Sequence, residues 1–201
     1  SLTNCDLNMF KINTSVVYLD ISGNPLNAFY IGNDEPTTNI SSLTKLNSLS
    51  IRDTSFPKLI GDGTDGQELS TVDAVGTSDI QLTNYSKLSS LTFSTISNLN
   101  ISGCSSIGGE FTIAYIMETV SVNIAGTSIT HLLITPETVG SSITDLTLSE
   151  LTSELTLEKI NYQDNFSVPD YLKSLNLNNC GIQTVSSENK HSDEFSLNVD
   201  G

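Results

Sequence analysis

Residues that could do chemistry are few in this chain. Oxygen ligands gather in Gly61-Asp-Gly-Thr-Asp-Gly-Gln-Glu68, where Asp62, Asp65 and Glu68 could offer hard carboxylate oxygens to a Ca²⁺ ion from a glycine-rich loop. Their spacing is not that of an EF-hand and the segment is not a repeated nonapeptide, so the plainer reading is an acidic, solvated turn. His131 and His191 are the two histidines, and neither stands in a zinc-like or triad-like arrangement. H-E-x-x-H, a phosphate-cradling Gly-Lys loop and a G-x-S-x-G elbow are all missing. Carboxylate pairs for glycoside hydrolysis have no fixed spacing in sequence. The expectation is therefore a protein that is not an enzyme, with no cofactor beyond the weak calcium candidate.

Composition narrows the classes further. The 201 residues are 37% hydrophobic and 15% charged, and 23 acids against 8 Lys and Arg leave a net charge of −15. Ser, Thr and Asn together supply about 36% of positions. Scattered basic residues among so many acids would repel a phosphate backbone, which argues against nucleic-acid binding. Apolar runs reach four or five residues, far short of the roughly 18 that a membrane span needs. The polar surface must consist largely of neutral hydroxyls and amides.

The elements that would position any site emerge from an internal repeat. Leu172-Lys-Ser-Leu175-Asn-Leu177-Asn-Asn-Cys180-Gly-Ile182-Gln-Thr-Val185 has the form LxxLxLxxCxIxxV. Leu46, Leu49, Ile51, Thr54, Phe56 and Leu59 repeat it, as do Leu19, Ile21, Asn24, Leu26 and Phe29. Val122, Ile124, Thr127, Ile129 and Leu132 form a further copy, and weaker ones centre on Ala74, Ile101 and Leu148. Anchored on the second strand residue, the copies fall at Leu2, Ile21, Ile51, Ala74, Ile101, Ile124, Leu148 and Leu177, about 19 to 30 residues apart.

The two apolar residues of LxL alternate with polar ones, the period of a short strand with one buried face. Such strands are too short to stand alone, and stacking them buries a continuous ladder of Leu and Ile. Three places after the second apolar residue the chain must turn, and a small polar side chain there can satisfy backbone groups cut off from water. Asn24, Thr54, Thr77, Thr127 and all three cysteines occupy that place.

Over residues 1–186 the sequence resembles the leucine-rich-repeat family, with consensus L-x-x-L-x-L-x-x-N/C-x-L. The resemblance implies a right-handed solenoid of about eight repeats. A parallel sheet would line its concave face, strand, turn and 3₁₀ connections its convex side, with few helices. Residues 187–201 then read as a polar tail or C-terminal cap. The chain opens inside a copy of the repeat, so it is expected to be part of a longer chain or assembly with a cap upstream. Because Cys5, Cys104 and Cys180 share one repeat position several rungs apart, three buried, free thiols are expected and no disulfide.

Three stretches interrupt the repeat: 30–42, 105–118 and 152–170. In the second, Phe111, Tyr115 and Met117 read as core of a longer repeat; in the third, Leu155 and Leu157 read as an extra strand or hairpin. On the open face the residues run Tyr18, Asp20, Ser22; Ser48, Ser50, Arg52; Thr71, Asp73, Val75; then Asn98, Asn100 and Ser102. Binding hot spots favour Tyr and Arg, so Tyr18, Asp20, Arg52 and Asp73 are the candidate binding residues. Because the family mostly scaffolds protein interactions, the resemblance implies a recognition module with a protein ligand. The low charge and Ser/Thr/Asn richness are similar to bacterial cell-surface adhesins, secreted or anchored, and to phage tail or virion proteins. A structural spacer and a glycan-binding module are the alternatives.

Overall fold

The computed structural model describes residues 1–134 apart from 33–34 and 65–66, with backbone alone at 115–120. Beyond 134 it describes the strand backbone at 141–147, 154–158, 160–161, 166–167, 174–178, 185–186 and 196–198.

The chain winds into a β-solenoid of parallel sheets, and no described residue is helical. The first sheet stacks Tyr18–Asp20, Ser48–Ser50, Thr71–Asp73 and Ser90–Thr92 in parallel. The second stacks Leu59–Asp62, Asp79–Thr83, Thr95–Asn100, Tyr115–Asn123, Ser141–Thr147 and Ile160–Asn161. The third runs through Gly108–Ile113, Ser128–Ile134, Glu154–Glu158, Ser174–Asn178 and Ser196–Asn198. From Ser48 to Thr92 the chain alternates between the first and second sheets. From Thr95 to Glu158 it alternates between the second and third. The second sheet is thus common to both halves, and the tilted contact of Phe93 with Phe111, centroids 5.9 Å apart, lies where the first sheet gives way to the third.

Period-2 patterning explains these strands. In Asp79–Thr83 the alternate Ile80 and Leu82 are fully buried while Asp79, Gln81 and Thr83 face out. The inward residues Leu19, Leu49 and Val72 of the first sheet and Ile80, Leu99 and Val122 of the second meet in one core. Burying each such side chain stabilises by roughly 1.5–3 kcal/mol relative to exposure. Register within a parallel stack then keeps every apolar pair on the inside.

Corners follow a common rule. After Ile21, Ile51 and Ala74, the chain enters the left-handed region at Gly23, Asp53 and Gly76; after Leu82, Ile101 and Ile124 it does so at Asn84, Gly103 and Gly126. Only Gly, Asn and Asp adopt that conformation readily. The amides of these corner residues carry the stack forward: Gly23 N donates to Arg52 O at 2.8 Å, Asp53 N to Val75 O at 2.9 Å, and Gly103 N to Ala125 O at 2.7 Å.

The expected ladder of rungs breaks twice: Leu175 and Leu177 stack on Leu155 and Leu157 of the third sheet rather than on Leu146 of the second, and an earlier break separates Val72 from Leu99. Leu99 and Ile101 do not follow Val72 and Ala74 on one sheet; Leu99 pairs with Ile80 and Val122 on the second sheet, whereas Leu91 pairs with Val72. Both sheets end in the same kind of corner, so the same local code recurs on either side of the core. The interruptions also resolve. Phe29–Ile31 and Pro36–Thr37 form an antiparallel pair beside Lys11–Ile12, and Phe111 packs half-buried against the core, while the side chains of Tyr115 and Met117 lie outside the described residues. Glu154–Glu158, which carries Leu155 and Leu157, is a parallel rung of the third sheet.

Candidate functional site

The outer row of the first sheet is built by strand register. Tyr18, Ser48, Thr71 and Ser90 stand side by side, as do Asp20, Ser50, Asp73 and Thr92. Just past the strand ends come Ser22, Arg52, Val75 and Ser94. Tyr18 is 72% exposed, an aromatic ring in a row of small hydroxyls.

Two of the four candidate residues are in contact. Arg52 Nε donates to Asp73 Oδ2 at 2.8 Å. Asp20 instead accepts from Ser22 Oγ at 2.7 Å and Ser22 N at 3.2 Å on one oxygen and from Ser1 Oγ at 2.9 Å on the other. Partial burial pushes the Asp20 carboxyl up, but the Ser22 hydroxyl and amide, the Ser1 hydroxyl and the terminal ammonium together hold it below its ordinary value. Ser22 Oγ also meets Ser50 Oγ at 2.7 Å, so the row is tied across strands. Tyr18 stands level with Ser48, one strand over and four residues before Arg52, which lies in the turn past the strand end. The candidates form two ends of one face rather than a single cluster.

The register also replaces part of the expected face. Asn98, Asn100 and Ser102 belong to the second sheet, where Asn98 Nδ2 donates to Asp79 Oδ1 at 2.9 Å; Ser90, Thr92 and Ser94 take their place on the first. The alternation Leu91-Thr92-Phe93 marks that strand, although Leu99, Ile101 and Cys104 fit the repeat consensus better.

In the acidic loop the carboxylates of Asp62 and Glu68 are both engaged by side chains of the following turn. Asp62 Oδ1 accepts from Thr83 Oγ1 at 2.7 Å and Asn84 Nδ2 at 2.8 Å, and these two donors hold its carboxyl below the ordinary value. Glu68 Oε2 takes Lys87 Nζ at 2.7 Å, which lowers its carboxyl in the same way. Asp65 lies outside the described residues. Among the described residues no group of three or more His, Cys, Asp and Glu is placed to hold a metal ion.

The turn position works as its chemistry suggests. Asn24, 1% exposed, donates through Nδ2 to Leu2 O at 2.6 Å and Ile21 O at 2.8 Å, and accepts on Oδ1 from Cys5 N at 2.9 Å and Leu7 N at 3.1 Å. Thr54 Oγ1 and Thr127 Oγ1 donate to Ile51 O at 2.6 Å and Ile124 O at 2.8 Å. Cys104 Sγ donates to Leu82 O at 3.1 Å, and burial pushes its thiol up to about 11. Thr77 departs from the pattern, for its buried Oγ1 has no partner.

Both described cysteines are free, Cys104 buried but Cys5 exposed, which corrects the expectation of a buried Cys5. The reason is local: the Asn24 amide group caps the backbone here, while the Cys5 side chain points out and its Sγ reaches Thr3 O at 3.2 Å. Cys180 and His191 lie outside the described residues. His131 is half-buried in Ser128–Ile134, in register between Glu110 and Glu154. At the N-terminal end an open groove of about 450 Å³ is bordered by Leu2, Phe10, Ile12, Val16, Tyr18 and Leu19. No described helix is long and apolar enough to cross a membrane. No protein-family model, curated protein or solved structure matches the chain.

Proposed function

We propose that this chain is a non-enzymatic recognition module that meets a protein partner on the outer face of its first sheet. The observation that carries the reading is Tyr18, a large aromatic side chain 72% exposed on the edge strand of the first sheet, which pairs along its length with Ser48–Ser50. A rigid aromatic buries much area on binding at little entropic cost, which is why Tyr dominates contact hot spots. The Arg52–Asp73 pair, half-exposed at the far end of the row, adds a fixed polar contact. The finer type we propose is a leucine-rich repeat, supported by the LxLxxN form of Leu19, Ile21 and Asn24 and by the Asn24 side chain that joins neighbouring rungs. An extracellular setting, on a bacterial surface, secreted or in a virion, is proposed from the low charge and the hydroxyl-rich surface.

A second reading, a shape-only spacer, is favoured by the rest of the row, which apart from Asp20 and Val75 is Ser and Thr. Immobilised wild type, Tyr18→Ala and Arg52→Ala separate the two. If the face recognises a protein on cells, Tyr18→Ala reduces cell retention at least tenfold and Arg52→Ala reduces it less. Equal retention of all three removes this face as the site, and no retention by wild type favours the spacer. A glycan ligand predicts retention on a polysaccharide array, again lost in Tyr18→Ala.

A further inference from the structure

We draw no further inference here: the strongest candidate, the apolar groove at the N-terminal end of the solenoid between Phe10, Ile12, Val16 and Leu19, carries nothing because nothing in the structure shows what covers it.

Discussion

Asn24 and Thr77 occupy the same place in their turns and do opposite things for stability. Asn24 serves three carbonyls and two amides of its own and the adjoining rung from a site with 1% exposure. Removing a buried partner leaves each group to bear its desolvation cost, roughly 1–3 kcal/mol apiece. Asn24→Ala is therefore expected to destabilise by about 3 kcal/mol or more. Thr77 buries a hydroxyl with no partner, so Thr77→Val keeps the shape and deletes an unmet group. That exchange is expected to be neutral or stabilising. Urea titrations of both variants check the pair, and comparable losses would refute the assigned roles. The sequence marked this position as polar and turn-forming for a sound reason, the need of a cut-off backbone. It could not distinguish a side chain that reaches the backbone from one that does not, because that depends on the neighbouring rung.

At the scale of strands and corners, glycine and carboxylates give separable tests. Gly103 has φ +74°, and a Cβ there would run into the Asn84 side chain of the adjoining turn. Gly109 has φ +75° with open space around it. Replacement by alanine brings the left-handed strain of roughly 1–2 kcal/mol at either site, but only Gly103→Ala adds the collision. Calorimetry is expected to show a clearly larger fall in Tm for Gly103→Ala than for Gly109→Ala; equal falls would mean that the two turns do not stack as described. Asp62 gives a test by pH. Thr83 and Asn84 lower its folded pKa, so its contribution is present above the unfolded carboxylate range and fades as pH falls through the folded value. Asp62→Asn keeps an acceptor oxygen for Thr83 but no longer titrates. Its Tm is expected to drop less than that of wild type between about pH 7 and pH 3, whereas parallel profiles would show that this carboxylate does not couple to folding. The strands themselves were legible: alternation in Ser48–Ser50 and Asp79–Thr83 foretells which residues are buried. The acidic loop was less so, since Thr83, Asn84 and Lys87, which take up Asp62 and Glu68, come from the following turn.

Over the whole molecule, stacked short strands follow from the repeat, and their distribution among sheets does not. The local pattern misleads at two points: Val72 and Leu99, and again Leu146 and Leu175, hold equivalent places in the repeat yet lie on different sheets. Corners on both sides of the core need a left-handed residue and a backbone cap, so Gly76-Thr77 and Gly103-Cys104 look alike in sequence. Only pairing between turns separates them. The candidate face inherits the same limit: Tyr18, Asp20 and Asp73 lie on strands of the first sheet and Arg52 just past one, but the continuation of that row through Ser90 and Thr92 required the register. Oxidative cross-linking of paired cysteines in a Cys5→Ser, Cys180→Ser background tests the step from Val72 on the first sheet to Leu99 on the second. A disulfide needs Cα atoms within about 7 Å, a condition adjoining rungs meet at about 4.8 Å. Asp79→Cys with Asn98→Cys, and Thr71→Cys with Ser90→Cys, are expected to form intramolecular bridges, and Thr71→Cys with Asn98→Cys is not. Bridging of Thr71→Cys to Asn98→Cys, without bridging in the other two pairs, would put Leu99 on the sheet of Val72 and overturn the change of partner.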